Sequence, residues 1–261
     1  MRQPQPEQYC AEIRASAGRL ADLIATRDPD LPVPSCPGWA LHDLGAHLGR
    51  VHRWAAQIVT SGATERIPFS SVPGSEYPAG QDEQAAWLRA GAEQVITATS
   101  AAGPAPVWAF GSIAPAGFWA RRQSHETMVH RADGEIAAGQ EVVLDPVLAA
   151  DGIDEWLSMV ANPRNRRRPE GTEVLPPGAV LGLRAVAPDG DSSDWLLSAS
   201  DGQVTVRSGS DGSGASGDAT ATGPPGPLLL VLLRRLPPDD PRITVTGDTA
   251  LLSGWLAATP F

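Results

Sequence analysis

Apolar residues recur every three or four positions over most of the first 161 residues, the spacing that places them on one face of an α-helix. Proline- and glycine-rich stretches interrupt this pattern, and the longest covers 67–80. The predicted helices are about 7–26, 41–59, 82–99, 115–138 and 145–161. We expect the first four to pack as a bundle, in which the second and fourth helices face each other.

The pattern changes toward alternation beyond residue 172. Short alternating stretches separated by Gly and Asp predict strands at 181–186, 195–197 and 203–207. A further strand is predicted at 243–246. Helices are expected at 227–235 and at 248–258, the second capped by Asp248. This part of the chain is therefore predicted to be an α+β domain in which two helices cover a sheet.

A short arginine-rich run, Arg164–Arg168, is predicted to mark the boundary between the two parts. We interpret it as a solvated linker, because a short basic run in an acidic chain seldom binds nucleic acid. The predicted fold class is α+β, with a helical domain at 1–163, a smaller domain at 172–261 and a linker of about 164–171. The Gly/Ser/Asp-rich stretch 208–218 is predicted to be a mobile hairpin end.

All five histidines lie in two of the predicted helices. Glu126 and His130 are one helical turn apart and therefore share a face. In the earlier helix His47 shares the apolar face, whereas His42 and His52 lie about 140° away and are expected to face solvent. Phase therefore selects His47, Glu126 and His130 as a set that points inward.

Two interpretations of this set remain open on spacing alone. In the first, His47, Glu126 and His130 bind a divalent metal, zinc being the best match, with one position left for water or substrate. In the second, Glu126 pairs with Arg122 and His47 is hydrogen-bonded to backbone, so that the cluster is a satisfied part of the core. A zinc-protease helix is excluded, because its second histidine would stand at position 129, which is Val129.

The segments that carry these residues resemble the signatures of a known family. Residues 36–48 and 121–133 are similar to the two signatures of the actinobacterial maleylpyruvate isomerase family, whose N-terminal half is a DinB-like, metal-binding four-helix bundle. Residues 232–241, followed by 245–248, are similar to that family's C-terminal domain. The resemblance covers nearly the whole chain. It implies zinc ligands at the positions that helical phase selects, which are His47, Glu126 and His130.

The resemblance also implies a chemistry. Family members use the metal with a small thiol, mycothiol, to isomerise a cis alkene or to transfer the thiol to an electrophile, because a metal-bound thiol loses its proton near neutral pH. The family's C-terminal arginine, which holds a carboxylate, best matches Arg235, with Arg234 as the second choice. Either arginine is equally suited to the carbonyl groups at a helix end. Asp133 is a candidate for orienting a metal ligand or for pairing with Arg122 or Arg131.

Composition excludes several classes of partner and one type of chemistry. The net charge of −10 argues against nucleic acid and anionic membranes as partners. All 20 basic residues are arginine, which excludes Schiff-base chemistry. No signal pattern or long apolar stretch is present, so we expect a cytoplasmic monomer whose Cys10 and Cys36 stay unpaired. Two alternatives remain: a thiol-independent metalloenzyme that tailors a secondary metabolite, and a non-catalytic bundle that binds metal or a small ligand.

Overall fold

The computed structural model describes residues 3–162, 173–200, 203–209 and 216–259. The chain separates into two compact units, one formed by Pro4–Val142 and the other by the described residues from Val143 onward. The first unit is helical and the second contains the larger sheet, so the predicted α+β class is confirmed. Within the described residues, no helix is both long and apolar enough to span a membrane.

The N-terminal unit is built from four long helices, all of which the apolar spacing predicts. In chain order they are α1 (Pro6–Thr26), α2 (Leu41–Ser61), α3 (Gln81–Ala102) and α4 (Gly117–Ala137). Helix α2 ends at Gly62, whose φ of 62° is the left-handed conformation that glycine adopts freely. Helix α3 packs against α2 and α1, while α4 packs against α1 and α2. Helices α2 and α4 are therefore in contact, as predicted.

A two-stranded hairpin between α3 and α4 was not predicted. Strands β1 (Pro106–Ala109) and β2 (Ser112–Pro115) pair in antiparallel fashion around a two-residue turn, Phe110–Gly111. Both turn residues have positive φ, 46° and 85°, as a type I′ turn requires. The usual sequence signal for such a turn is Asn-Gly or Asp-Gly. The turn here is Phe-Gly, which the signal does not include. The hairpin is tied to the end of α2, because the Trp108 N–H donates to the Ala63 carbonyl at 2.7 Å.

In its described residues the C-terminal unit contains three helices and a five-stranded sheet. The elements are α5 (Pro146–Ala161), β3 (Val180–Val186), β4 (Ser192–Ser200), β5 (Gln203–Gly209), β6 (Ala219–Gly223), α6 (Pro225–Leu232), β7 (Thr244–Gly247) and α7 (Thr249–Ala258). The strand order is β5-β4-β3-β6-β7, with β3 and β6 parallel and every other pair antiparallel. Asp248 caps α7 as predicted, since its carboxylate accepts the Ala250 N–H.

Two details of this unit differ from the sequence-based expectation. Strand β6 was not predicted, because Ala219–Gly223 lacks the large β-branched and aromatic residues that mark a strand. Helix α5 packs against α6 and β5 and belongs to the unit that begins at Val143, whereas the sequence analysis groups it with the helical domain. An amphipathic pattern shows that α5 has a buried face, but it does not show which unit buries it. The whole of the predicted linker, 164–171, and residues 210–215 lie outside the described residues.

The contact between α2 and α3 depends on the absence of a side chain at Gly49. A Cβ atom there would overlap the Trp87 ring. Arg53 fixes that ring, because its guanidinium lies 3.9 Å from the ring centroid and donates to the Gly49 carbonyl at 3.0 Å.

We expect Gly49→Ala to lower the free energy of unfolding by about 1–3 kcal/mol, the usual cost of overpacking a core. Denaturant unfolding measures this. Gly18→Ala in α1 is the matched control, because its new Cβ would meet no atom within 4 Å. It should be neutral or stabilise by up to about 1 kcal/mol, owing to the higher helix propensity of alanine. Equal effects from the two substitutions would contradict this interpretation of the α2–α3 contact.

Candidate metal site

The structure brings His47, Glu126 and His130 together between α2 and α4. The Nε2 atom of His47 lies 3.1 Å from Glu126 Oε1, and the Nε2 atom of His130 lies 3.4 Å from the same oxygen. All three ligand atoms lie within 4.8 Å of one another. The side chain of His47 is 33% exposed, whereas that of His130 is only 6% exposed. The cluster is therefore open to solvent on the His47 side and closed at its base.

The donor set and its spacing fit a zinc ion. Ligand atoms about 2.0–2.1 Å from a tetrahedral metal lie about 3.4 Å from one another, close to the two separations measured here. Arg122 Nη2 donates to Glu126 Oε2 at 2.7 Å, which leaves Oε1 facing the histidines. His130 Nδ1 is hydrogen-bonded to Asp133 Oδ2 at 2.8 Å, which leaves Nε2 facing Glu126. Two imidazoles and one carboxylate are a common ligand set for catalytic zinc.

The groups around Glu126 and His130 shift the pKa of both side chains. Burial by itself raises the pKa of Glu126, but the charge of Arg122 and hydrogen bonds from the two histidines hold that pKa well below its usual range. Burial by itself lowers the pKa of His130, but hydrogen bonds to Asp133, Cys36 and Glu126 raise it well above its usual value. Glu126 is therefore ionised, and a metal bound at this cluster would displace a proton from His130.

The buried-cluster interpretation shares part of this geometry. The Arg122–Glu126 ion pair that it requires is present. The partner found for His47, however, is the Glu126 carboxylate, in place of the backbone group that this interpretation assigns. A fully buried polar cluster also has no need for an exposed member, and His47 is one-third exposed.

A tight loop before α2 places Trp39 against both histidines of the cluster. The Trp39 ring centroid lies 5.0 Å from that of His47 and 6.2 Å from that of His130, and it is within 24° of parallel to the His130 ring. The loop is closed by the Val33 N–H, which donates to the Trp39 carbonyl at 2.9 Å. Gly38 has a φ of 84°, which a residue with a side chain rarely adopts. Trp39 thereby covers one side of the candidate ligands.

Comparison with known proteins identifies the family. Residues 10–134 match the mycothiol maleylpyruvate isomerase N-terminal domain, and residues 147–254 match the C-terminal domain of the same family. The chain belongs to the mycothiol maleylpyruvate isomerase family. The resemblance found in the sequence is thereby confirmed, and the predicted class of thiol-dependent isomerase agrees with this membership.

Solved structures support the assignment at the level of the fold. A structure of mycothiol-dependent maleylpyruvate isomerase matches with a TM-score of 0.58 at 13% identity, and a single-residue variant of that enzyme matches with 0.57 at 14%. Each match covers 94% of this chain and 96% of the other. No curated protein sequence is significantly similar to the chain. The second family match begins at residue 147, so it includes α5, as the division of the structure does.

The remaining histidines of this family member lie outside the cluster, and one prediction about them was wrong. His52, expected to face solvent, is fully buried and hydrogen-bonded to Thr127 Oγ1 at 2.8 Å. Helix α2 packs against both α3 and α4, so a position 140° from His47 still faces protein. Burial lowers the pKa of His52 to about 3, and the ring is therefore neutral near pH 7. His125 is also buried and contacts the Tyr9 ring edge-on.

Four tryptophans of the N-terminal unit pack against groups other than the candidate ligands. Trp54, Trp108 and Trp119 pack against one another in an aromatic cluster. Trp87 packs against Arg53. Trp39 takes the place beside the ligands, and its position directly after the Cys36-Pro37-Gly38 segment of the family signature was the signal that could have identified it.

The two candidate arginines follow α6 in the C-terminal unit. Arg235 Nη1 donates to the Leu233 carbonyl at 2.8 Å, so a role at the end of the helix is present in the structure. Arg234 has a φ of 61°, the left-handed conformation that commonly terminates a helix and that glycine usually supplies. A cavity of about 400 Å³ is lined by Arg234, Arg235, Leu236, Pro237, Pro238, Ser253, Leu256 and Ala257. Anion binding by either arginine remains a prediction.

Proposed function

We propose that this family member binds one zinc or similar divalent ion through His47, Glu126 and His130 and is a mycothiol-dependent enzyme. Its reaction would be the cis–trans isomerisation of a small electrophilic substrate that bears a carboxylate, or the transfer of the whole thiol, through its sulfur, to that substrate. The observation that carries the proposal is the approach of both imidazole Nε2 atoms to one ionised carboxylate oxygen at 3.1 and 3.4 Å. The cytoplasmic location and monomeric state expected from the sequence remain predictions.

Residues around the three ligands are suited to this use. Arg122 holds Glu126 in place by an ion pair at 2.7 Å. Trp39 shields one side of the two histidines from water, while the exposed side of His47 leaves an approach for small molecules. A divalent metal held there would supply the Lewis acidity that makes a bound thiol ionise near neutral pH.

The bond changes required by each reaction are simple. Isomerisation needs a C–S bond to form at an activated alkene, rotation about the resulting C–C single bond, and cleavage of the C–S bond, which returns the thiol unchanged. Thiol transfer needs loss of the thiol proton, formation of a C–S bond to the substrate, and departure of a leaving group from the same carbon. Neither requires an amine nucleophile, in agreement with a chain that contains no lysine.

The decisive assay incubates the zinc-loaded protein with mycothiol and a panel of cis-dienoic acids and electrophiles. We expect turnover that requires both components, disappears on treatment with a chelator and returns when zinc is added. Turnover without thiol would instead support a thiol-independent metalloenzyme. Tight zinc binding with no turnover on any member of the panel would support a binding protein.

A further inference from the structure

We propose that Asp133 is a positioning residue that orients His130 for metal binding, and that the loop residues Ser35 and Cys36 hold Asp133 in place. This inference rests on the proposed metal site. It concerns a hydrogen-bond chain that starts in the loop before α2, passes through a buried carboxylate on α4 and ends on a candidate ligand. Metal affinity should therefore depend on residues that never touch the ion.

Asp133 is fully buried and receives hydrogen bonds from three side chains. Ser35 Oγ donates to Oδ1 at 2.6 Å, Cys36 Sγ donates to Oδ2 at 3.4 Å, and His130 Nδ1 is 2.8 Å from Oδ2. A buried carboxylate is costly unless such partners satisfy it. The network therefore fixes the direction in which the oxygens of Asp133 point.

The consequence for His130 concerns its two ring nitrogens. Once Nδ1 donates its proton to Asp133, Nε2 is the nitrogen that can bind a metal, and the ring plane is fixed as well. This is the nitrogen that lies 3.4 Å from Glu126 Oε1. Carboxylates in this role raise the basicity of a metal-bound histidine and limit its rotation.

The loop contacts both candidate histidines. Ser35 and Cys36 act on His130 through Asp133, while Trp39 from the same loop lies against the His47 ring. The hydrogen bond between the Cys36 carbonyl and the Trp39 N–H, at 3.0 Å, links the two parts of the loop. The loop thus sets the position of the helix α4 ligand and covers the helix α2 ligand at the same time.

A second arrangement competes with this one. Cys36, His130 and Asp133 also lie close enough together to hold a metal themselves. The 2.8 Å separation between His130 Nδ1 and Asp133 Oδ2 is that of a hydrogen bond, and it is shorter than the spacing between two ligands of one ion. We therefore assign these three residues to the support of the site and not to the site itself.

The experiment measures zinc affinity by chelator competition in the wild type and in Asp133→Asn, which keeps the size of the side chain and removes its charge. We expect binding about 10–100-fold weaker, the usual effect of removing such a partner. Glu135→Gln is the matched control, because Glu135 is also a buried carboxylate on α4 but pairs with Arg131 and Arg19. It should retain wild-type affinity even if the melting temperature of the metal-free protein falls.

Further readouts separate the outcomes. The visible spectrum of the cobalt(II)-substituted protein should change in Asp133→Asn and stay unchanged in Glu135→Gln. Ser35→Ala, on the partly exposed loop, should weaken zinc binding without loss of the fold, so the test does not depend on Asp133→Asn folding. Wild-type affinity in both Asp133→Asn and Ser35→Ala would overturn this inference alone. Complete loss of zinc in Cys36→Ser would place the metal in the competing cluster. Failure of the wild type to bind zinc would overturn the proposed function as well.

Discussion

Replacing His47 by alanine is expected to reduce the metal content of the purified protein from about one ion per chain to near zero. The substitution removes one of three ligands, and the two that remain, Glu126 and His130, lie one turn apart on α4 and cannot enclose an ion. His47 is one-third exposed, so its loss should leave the bundle folded. Elemental analysis after dialysis measures the metal, and circular dichroism checks the fold.

His42→Ala is the appropriate control for this experiment. His42 lies on the same helix, its side chain is 42% exposed, and its ring is near Asp43 and Asp30. Metal retention and turnover should match the wild type. His52→Ala is unsuitable as a neutral control, because His52 is buried and its removal leaves a cavity. Retention of metal in His47→Ala together with its loss in His42→Ala would show that the ligand assignment is wrong.

The same histidines show how far the sequence determines the site. Phase on one helix is set by the apolar positions. Leu44 and Leu48 are fully buried as that phase requires, and His47, on the same face, lies 3.1 Å from Glu126. The error at His52 has the same origin. A helix that is packed on several sides has more than one buried face, and a single stripe does not show how many neighbours surround it. The number of elements that pack against one helix is set by the tertiary structure.

The residues that surround the candidate ligands were harder to predict from the sequence. Asp133 follows His130 by one turn, which made it a candidate partner for that residue, and its Oδ2 lies 2.8 Å from His130 Nδ1. The contributions of Ser35 and Trp39 depend on the path of an irregular loop, which hydrophobic periodicity does not describe. Such loops are defined by their hydrogen bonds and by residues with positive φ such as Gly38, and these become visible only in the folded chain.

Replacing Arg235 by lysine is expected to lower kcat/KM by about 10–100-fold while zinc content and folding stay unchanged. We propose that Arg235 binds a carboxylate of the substrate or thiol, for which a planar guanidinium can form two parallel hydrogen bonds and an ammonium cannot. A hydrogen bond to a charged group is worth about 1.5–3 kcal/mol, which corresponds to this loss. Steady-state kinetics on the substrate found with the mycothiol assay measures it.

Arg234 supplies the control, because its role in the structure is different. Its φ of 61° is one that glycine adopts without strain, so Arg234→Gly should keep the end of α6 and match or slightly exceed wild-type stability. Its effect on kcat/KM should be smaller than that of Arg235→Lys. Full activity in Arg235→Lys with a large loss in Arg234→Gly would transfer the anion-binding role to Arg234. If Arg235 serves only the Leu233 carbonyl at the helix end, its substitution will lower the free energy of unfolding and leave kcat/KM intact.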